Sequence, residues 1–144
     1  MKNNNKINLF VLVTIFSCQL FAVDFAKLKV VFKDTRNNDG NIYVSVHNNS
    51  TTFPMQAEKF VTKNMVSGKE KTVVFNNMPY GEYAVAVFHD ENGNGKMDTH
   101  IFGIPKEGVG ASNNKMGFGP PSFKDSAFML NEPDKTITVD VKYL

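Results

Sequence analysis

The chain has 144 residues with 16 Lys plus Arg, 14 Asp plus Glu, one cysteine and no tryptophan. That length suits one domain, long enough to bury roughly two thirds of its unfolded surface. The near-balance of charge leaves no net cationic footprint, so nucleic acid and bulk anionic lipid are poor expected partners.

The first segment carries Lys2 and Lys6, an apolar run from Ile7 to Phe16, and Ala22 at a junction. A basic start, an apolar stretch of about ten residues and a small residue at the junction are what export machinery reads. The run falls short of the roughly 20 apolar residues that a membrane span needs. Residues 1–22 are therefore predicted to be a signal peptide and residues 23–144 a single domain, periplasmic or secreted, with no membrane span. The stretch Ile15-Phe16-Ser17-Cys18 also fits a degenerate lipoprotein box, in which Cys18 carries a lipid anchor and the protein is an outer-membrane lipoprotein. Losing the leader takes Lys2 and Lys6 with it and leaves the domain formally neutral. With Cys18 the only thiol, the domain relies on an ordinary core rather than disulfides or cysteine metal sites.

Beyond the leader the period is two. In Lys27-Leu28-Lys29-Val30-Val31-Phe32-Lys33, Leu28, Val30 and Phe32 share a face opposite the lysines, the pattern of a half-buried strand. Asn37-Asn38-Asp39-Gly40 is a turn signal, and Ile42, Val44 and Val46 resume the alternation, so the two strands are predicted to form a hairpin. A strand over Thr72–Phe75 and a turn at Pro79-Tyr80-Gly81 follow. Glu82–His89, apolar on both faces, reads as a central strand. Phe128–Leu130 and Thr136–Tyr143 close the domain, with Ile137, Val139, Val141 and Tyr143 on one face; a short helix fits only at Pro54–Met65. This order of short strands predicts an all-β Greek-key sandwich of about seven strands. Its rhythm breaks from Thr99 to Asp125, 27 residues rich in Gly and Pro. Loops of that length are uncommon in compact domains unless they carry function or cover a sheet edge. Phe102, Phe118 and Phe123 are its expected pins to the sandwich.

Just before that loop stands Asp90-Glu91-Asn92-Gly93-Asn94-Gly95-Lys96-Met97-Asp98. Calcium takes six to eight hard oxygens, and a coiled loop offers them from alternate positions: the side chains of Asp90, Asn92 and Asn94, the Lys96 carbonyl, and Asp98. Gly95 stands where the turn requires glycine. Position twelve is Ile101 instead of a bidentate Glu, so the loop is not an EF-hand, and Glu107 or Asp125 is the expected compensating carboxylate. A tight Asx-rich turn holding no ion is the alternative. His47, His89 and His100 lack metal-ligand spacing, and neither Ser112 nor Ser122 sits in a nucleophile elbow.

The run Ala84–Asp98, then Phe102-Gly103-Ile104-Pro105-Lys106-Glu107-Gly108, then Gly117-Phe118-Gly119-Pro120-Pro121-Ser122-Phe123 resembles the bacterial family catalogued as domain of unknown function 2141. The resemblance implies an exported protein of about this size with a transthyretin-like or carboxypeptidase regulatory-like sandwich, and it implies no activity. Transthyretin-like folds include a hydrolase of oxidised urate, but the end Thr138-Val139-Asp140-Val141-Lys142-Tyr143-Leu144 lacks that enzyme's terminal Tyr-Arg-Gly-Ser. Three readings follow: a calcium-stabilised binding or accessory module with a protein or glycan partner in the envelope, a structural envelope protein without metal, and a metal-dependent hydrolase centred on His89, Asp90 and Glu107. The first is preferred and the hydrolase is the least favoured of the three.

Overall fold

A computed structural model describes residues 24–54, 62–117 and 119–144. The predicted leader, its Cys18 and the loop's Phe118 lie outside the described residues. The architecture is an all-β sandwich of two sheets. Its strands are β1 (Phe25–Lys33), β2 (Asn41–His47), β3 (Thr62–Ser67), β4 (Thr72–Pro79), β5 (Gly81–Asp90), β6 (Gly108–Ala111), β7 (Phe128–Leu130) and β8 (Asp134–Asp140). One sheet runs β4-β1-β8, with β1 antiparallel to β4 and parallel to β8. The other runs β3-β2-β5, and the free edge of β5 is covered in succession by β6 and β7.

Alternation decides which side chains meet between the sheets. Leu28, Val30 and Phe32 of β1, with Val73 and Phe75 of neighbouring β4, face Ile42, Val44 and Val46 of β2 and Val85 and Val87 of β5, all buried in one core. Each such side chain contributes about 1.5–3 kcal/mol when fully removed from water. The final strand adds Val139, with Ile137 half-buried, and the segment just past its end adds Val141, with Tyr143 half-buried.

The predicted β1–β2 hairpin is wrong: the two strands belong to different sheets. Residues 34–40 form an arch, turned by Asp34 (φ 62°) and Gly40 (φ 58°), that carries the chain across the sandwich. A hairpin would put both apolar faces on the same side of one sheet, whereas the arch sets them against each other and buries both.

The short helix for which Pro54–Met65 is the one possible place is absent where that stretch can be seen. Residues 55–61 lie outside the description, and Thr62–Ser67 is the edge strand β3, antiparallel to β2 from Asn41↔Ser67 to Val46↔Thr62. The sequence Thr-Lys-Asn-Met-Val-Ser has little alternation of its own, and its strand state comes from pairing with β2.

The stretch from Thr99 to Asp125 is not structureless. It holds β6, two 3₁₀ turns at Ile101–Gly103 and Ser112–Asn114, and a single helical turn α1 (Phe123–Ser126) whose first N–H groups are capped by Ser122 Oγ accepting from Asp125 N at 3.1 Å. Strand β6 fits because Gly108 and Gly110 carry no side chain. A Cβ on Gly108 would lie 2.5 Å from Val141 Cγ1, and one on Gly110 would lie 2.7 Å from Val139 Cγ1. Ser112 is fully buried, and its hydroxyl donates to Ser126 O at 2.5 Å and accepts from Val85 N at 2.9 Å, which locks the loop to β5. Of the expected aromatic pins, Phe123 packs edge-on against Phe53 at 6.0 Å. Phe102 instead stands 95% exposed at a hairpin tip.

Candidate functional site

Two features share one end of the larger sheet: the Asp90–Asp98 loop and a cavity beneath the segment that follows it. Asp90 is the last residue of β5 and fully buried. Its Oδ1 accepts from Asn94 N at 3.2 Å and its Oδ2 from Gly95 N at 2.8 Å, so the carboxylate sits inside the coil of the loop. Asn92 Oδ1 accepts from Asn94 N (3.0 Å) and Asn94 Oδ1 from Lys96 N (2.8 Å), a run of local turns that Asn is built to make. The amide nitrogens of Asn92 and Asn94 both donate to Asp98 Oδ2, at 2.6 and 3.0 Å. Asp90, Asn92, Asn94 and Asp98 thus line one small loop, as their spacing predicts.

Gly95 (φ 74°) is left-handed as expected, but Gly93 (φ 72°) is equally so; the coil turns at two glycines rather than at Gly95 alone. Of the two compensating carboxylates considered, the fold delivers Glu107. It is buried, with Oε1 accepting from Glu91 N (3.1 Å) and Oε2 from Asp98 N (3.0 Å), a staple across the two ends of the loop. Asp125 instead accepts from Ser122 Oγ at the start of α1.

As a cation site, the loop offers carboxylate and amide oxygens, the hard donors calcium prefers. Asn92 and Asn94 turn their amide nitrogens toward Asp98, and rotation of each amide about its last side-chain bond exchanges nitrogen for oxygen at that point. No group of three or more His, Cys, Asp or Glu side chains among the described residues is placed to hold a metal, which leaves any ion here dependent on the neutral Asn and backbone oxygens.

Around the loop lies a network that sequence reading missed. Arg36, on the β1–β2 arch, forms a two-pronged pair with Glu91: Nε to Oε1 at 2.9 Å and Nη2 to Oε2 at 2.5 Å. Asn37 Nδ2 donates to the same Oε1 at 2.6 Å. The guanidinium lies 4.3 Å from the centre of the Tyr143 ring, and the Tyr143 hydroxyl accepts from Arg36 N at 3.1 Å and bonds His89 Nδ1 at 2.6 Å. His89 is fully buried, with Nε2 on Asp39 O at 2.9 Å. The hydrogen bond from Arg36, then that from Asn37, holds the Glu91 carboxyl below its ordinary range, while Glu91 raises Arg36. Burial, foremost, raises the Tyr143 phenol. Asn37 was legible only as turn chemistry and Tyr143 only as a strand-face residue; that they meet Glu91 and Arg36 depends on the sandwich closing. In this network both ring nitrogens of His89, both oxygens of Asp90 and both of Glu107 already have partners.

The cavity occupies the outer face of the larger sheet, with a volume of about 610 Å³. Its floor is the stacked pair Tyr43 and Phe88 (5.7 Å between ring centres, 16° between planes) with Ser45 and Ala86 beside them. Its walls are Met97 from the Asp90–Asp98 loop, Ile104, Met116 and Pro120 from the long loop, and Leu144. One polar chain reaches the floor. The Ser45 hydroxyl meets His47 Nε2 at 2.9 Å, and His47 Nδ1 meets Thr52 Oγ1 at 3.2 Å. Burial pushes the His47 imidazole below its ordinary pKa, which keeps it neutral.

Residues 30–138, more than half the chain, match the sequence profile of DUF2141, described as an uncharacterized protein conserved in bacteria. The chain belongs to that family. Comparison with curated proteins and with solved structures gives no match. The DUF2141 match spans both the Asp90–Asp98 loop and the cavity floor, so both features lie within the part of the chain that makes it a member. Among the described DUF2141 residues no helix is long and apolar enough to cross a membrane.

Proposed function

We propose that this DUF2141 protein is an exported binding module of the cell envelope, stabilised by calcium at its Asp90–Asp98 loop, whose ligand seat is the cavity over Tyr43 and Phe88. The cavity carries the reading. Small-molecule sites are clefts of roughly 300–1,000 Å³, mostly apolar, with a few placed polar groups. This one has that size, an aromatic floor and few hydroxyl-bearing residues, Tyr43, Ser45 and Thr99, of which Ser45 is oriented by His47. Such a lining suits an apolar chain or ring better than a glycan, whose hydroxyls would find few partners.

Titration with an apolar dye such as N-phenylnaphthylamine tests it. Ala86 faces Ser45 across the β2–β5 ladder and lies on the floor, so Ala86→Phe fills the cavity. Wild type is expected to bind the dye and Ala86→Phe to lose binding with its melting temperature held. Equal binding by both would remove the cavity from the function.

The calcium part rests on the donor set and on Glu107. With two neutral Asn among the ligands, affinity belongs to the weak extracellular class, about 10⁻⁴ to 10⁻³ M. At about 1 mM calcium that adds roughly 0.4–1.4 kcal/mol and raises the melting temperature by about 1–6 °C. Magnesium, with its strict octahedron, should do less. Asp90→Ala and Asp98→Ala should each abolish the calcium increment, and identical melting in calcium and in excess chelator would leave the loop as an Asx turn.

A further inference from the structure

The exposed apolar side chains are not scattered. Of the nine large ones among the described residues, Met97, Phe102, Ile104 and Leu144 line the cavity and a fifth, Ile101, adjoins Phe102. Ile101 and Phe102, 80% and 95% exposed, form the tip of a small hairpin. Thr99 pairs with Pro105, Lys106 N donates to Asp98 O at 2.9 Å, and His100 N donates to Ile104 O at 2.7 Å. Phe102 has φ 73°, a left-handed conformation that costs a bulky residue free energy, and none of its side chain is repaid by burial. Two apolar side chains held outward on a tied hairpin need an apolar phase to enter.

The surroundings choose the phase. A protein interface takes about 800 Å² from each partner, far more than this tip presents. At the hairpin's base stand Lys96 and Lys106, both exposed and without an ion-pair partner among the described residues, with His100 nearer the tip. The carboxylates at this end are turned inward or occupied: Asp90 and Glu107 are buried, Glu91 is held by Arg36, and Asp98 takes the two Asn amides. Those carboxylates keep their charge, so this end is not cationic by count; the charges that face outward at the hairpin's base are those of Lys96 and Lys106. Lys106 is four residues from Phe102, at most roughly 13 Å along an extended chain. Apolar groups of interfacial segments sink about 5–10 Å, which leaves lysines at that distance level with the lipid phosphates, where their stems let them adjust.

We infer that the Asp98–Lys106 hairpin is a membrane-docking finger, inserting Ile101 and Phe102 into a bilayer while Lys96 and Lys106 meet anionic phospholipid headgroups. The finger stands independently of what fills the cavity, although it places the cavity mouth at the bilayer surface.

The protein has no tryptophan, so Phe102→Trp reports on the tip alone. Protein released from an exporting host, wild type and variants prepared alike and kept in chelator, is mixed with vesicles of phosphatidylcholine or of equal parts phosphatidylcholine and phosphatidylglycerol. The indole emission of Phe102→Trp should shift to the blue and be quenched by brominated acyl chains on the phosphatidylglycerol vesicles. In flotation, Phe102→Asp should weaken partition about tenfold or more. Lys96→Glu and Lys106→Glu should each weaken it about fivefold or more. Ala86→Phe, which fills the cavity, should float like wild type whether or not the cavity binds a ligand. An unchanged indole spectrum, equal flotation of wild type and Phe102→Asp, or binding that ignores phosphatidylglycerol would each overturn the docking finger.

Discussion

Replacing Glu107 should expose how the Asp90–Asp98 loop is held. Its two carboxylate oxygens accept from the backbone N–H groups of Glu91 and Asp98 at 3.1 and 3.0 Å, inside a residue only 4% exposed. A hydrogen bond to a charged group is worth about 1.5–3 kcal/mol net, and two that share one carboxylate do not add fully, so Glu107→Ala should cost about 2–4 kcal/mol. For a domain of this size that lowers the melting temperature by about 8–16 °C. Glu107→Gln keeps the shape and one acceptor but sets an NH₂ group against the second N–H, and about 1–2 kcal/mol of the loss should remain. Calorimetry in chelator gives the stabilities, and hydrogen exchange followed amide by amide gives the location: protection should fall first at Glu91 and Asp98. Glu132→Ala, which removes an exposed pair with Lys135, serves as a control expected to change stability by about 1 kcal/mol or less. If Glu107→Ala melts no lower than Glu132→Ala, or if exchange at Glu91 and Asp98 is untouched, the staple is not what holds the loop.

Acid should destabilise the domain in two stages. His47, depressed by burial from 6.5, is neutral when folded, so its contribution is complete above about pH 6.5 and is lost as pH falls from there through its lower folded value; His47→Gln should flatten that limb of a melting-versus-pH curve. Glu91, depressed from 4.5 chiefly by the Arg36 hydrogen bond, contributes fully above about pH 4.5 and loses it below, and Arg36→Gln should blunt this second stage. Gly110→Ala would set a Cβ 2.7 Å from Val139 Cγ1 and 2.8 Å from Asp140 O, and urea unfolding should show about 1–3 kcal/mol of destabilisation. Intact mass of protein from an exporting host should show residues 1–22 removed; a diacylglycerol adduct on Cys18 would convert the expectation to a lipoprotein, and Met1 retained on soluble protein would end the export reading.

Local sequence determined the inward faces of β1, β2, β5 and β8 and the coil from Asp90 to Asp98. Whether Leu28 or Lys29 seeks the core is settled by alternation, and Asn and Gly accept the required turns wherever they stand. Which strand lies beside which was not local. Leu28–Phe32 and Ile42–Val46 have the same pattern in a hairpin as in an arch, and only closure of both sheets places them face to face. Thr62–Ser67 and Gly108–Ala111 are strands because β2 and β5 offer them unpaired backbone, and Gly-Val-Gly-Ala fits only against Val139 and Val141 already in place. The same holds for the site. The loop's own donors could be named from their spacing, but Arg36 reaches Glu91 across 55 positions and Tyr143 across 107, and the floor of the cavity comes from two strands roofed by a distant loop. Those contacts are decided by the packing of the two sheets, because a side chain's partner over such separations is set by where burial brings the backbone and not by its neighbours in the chain.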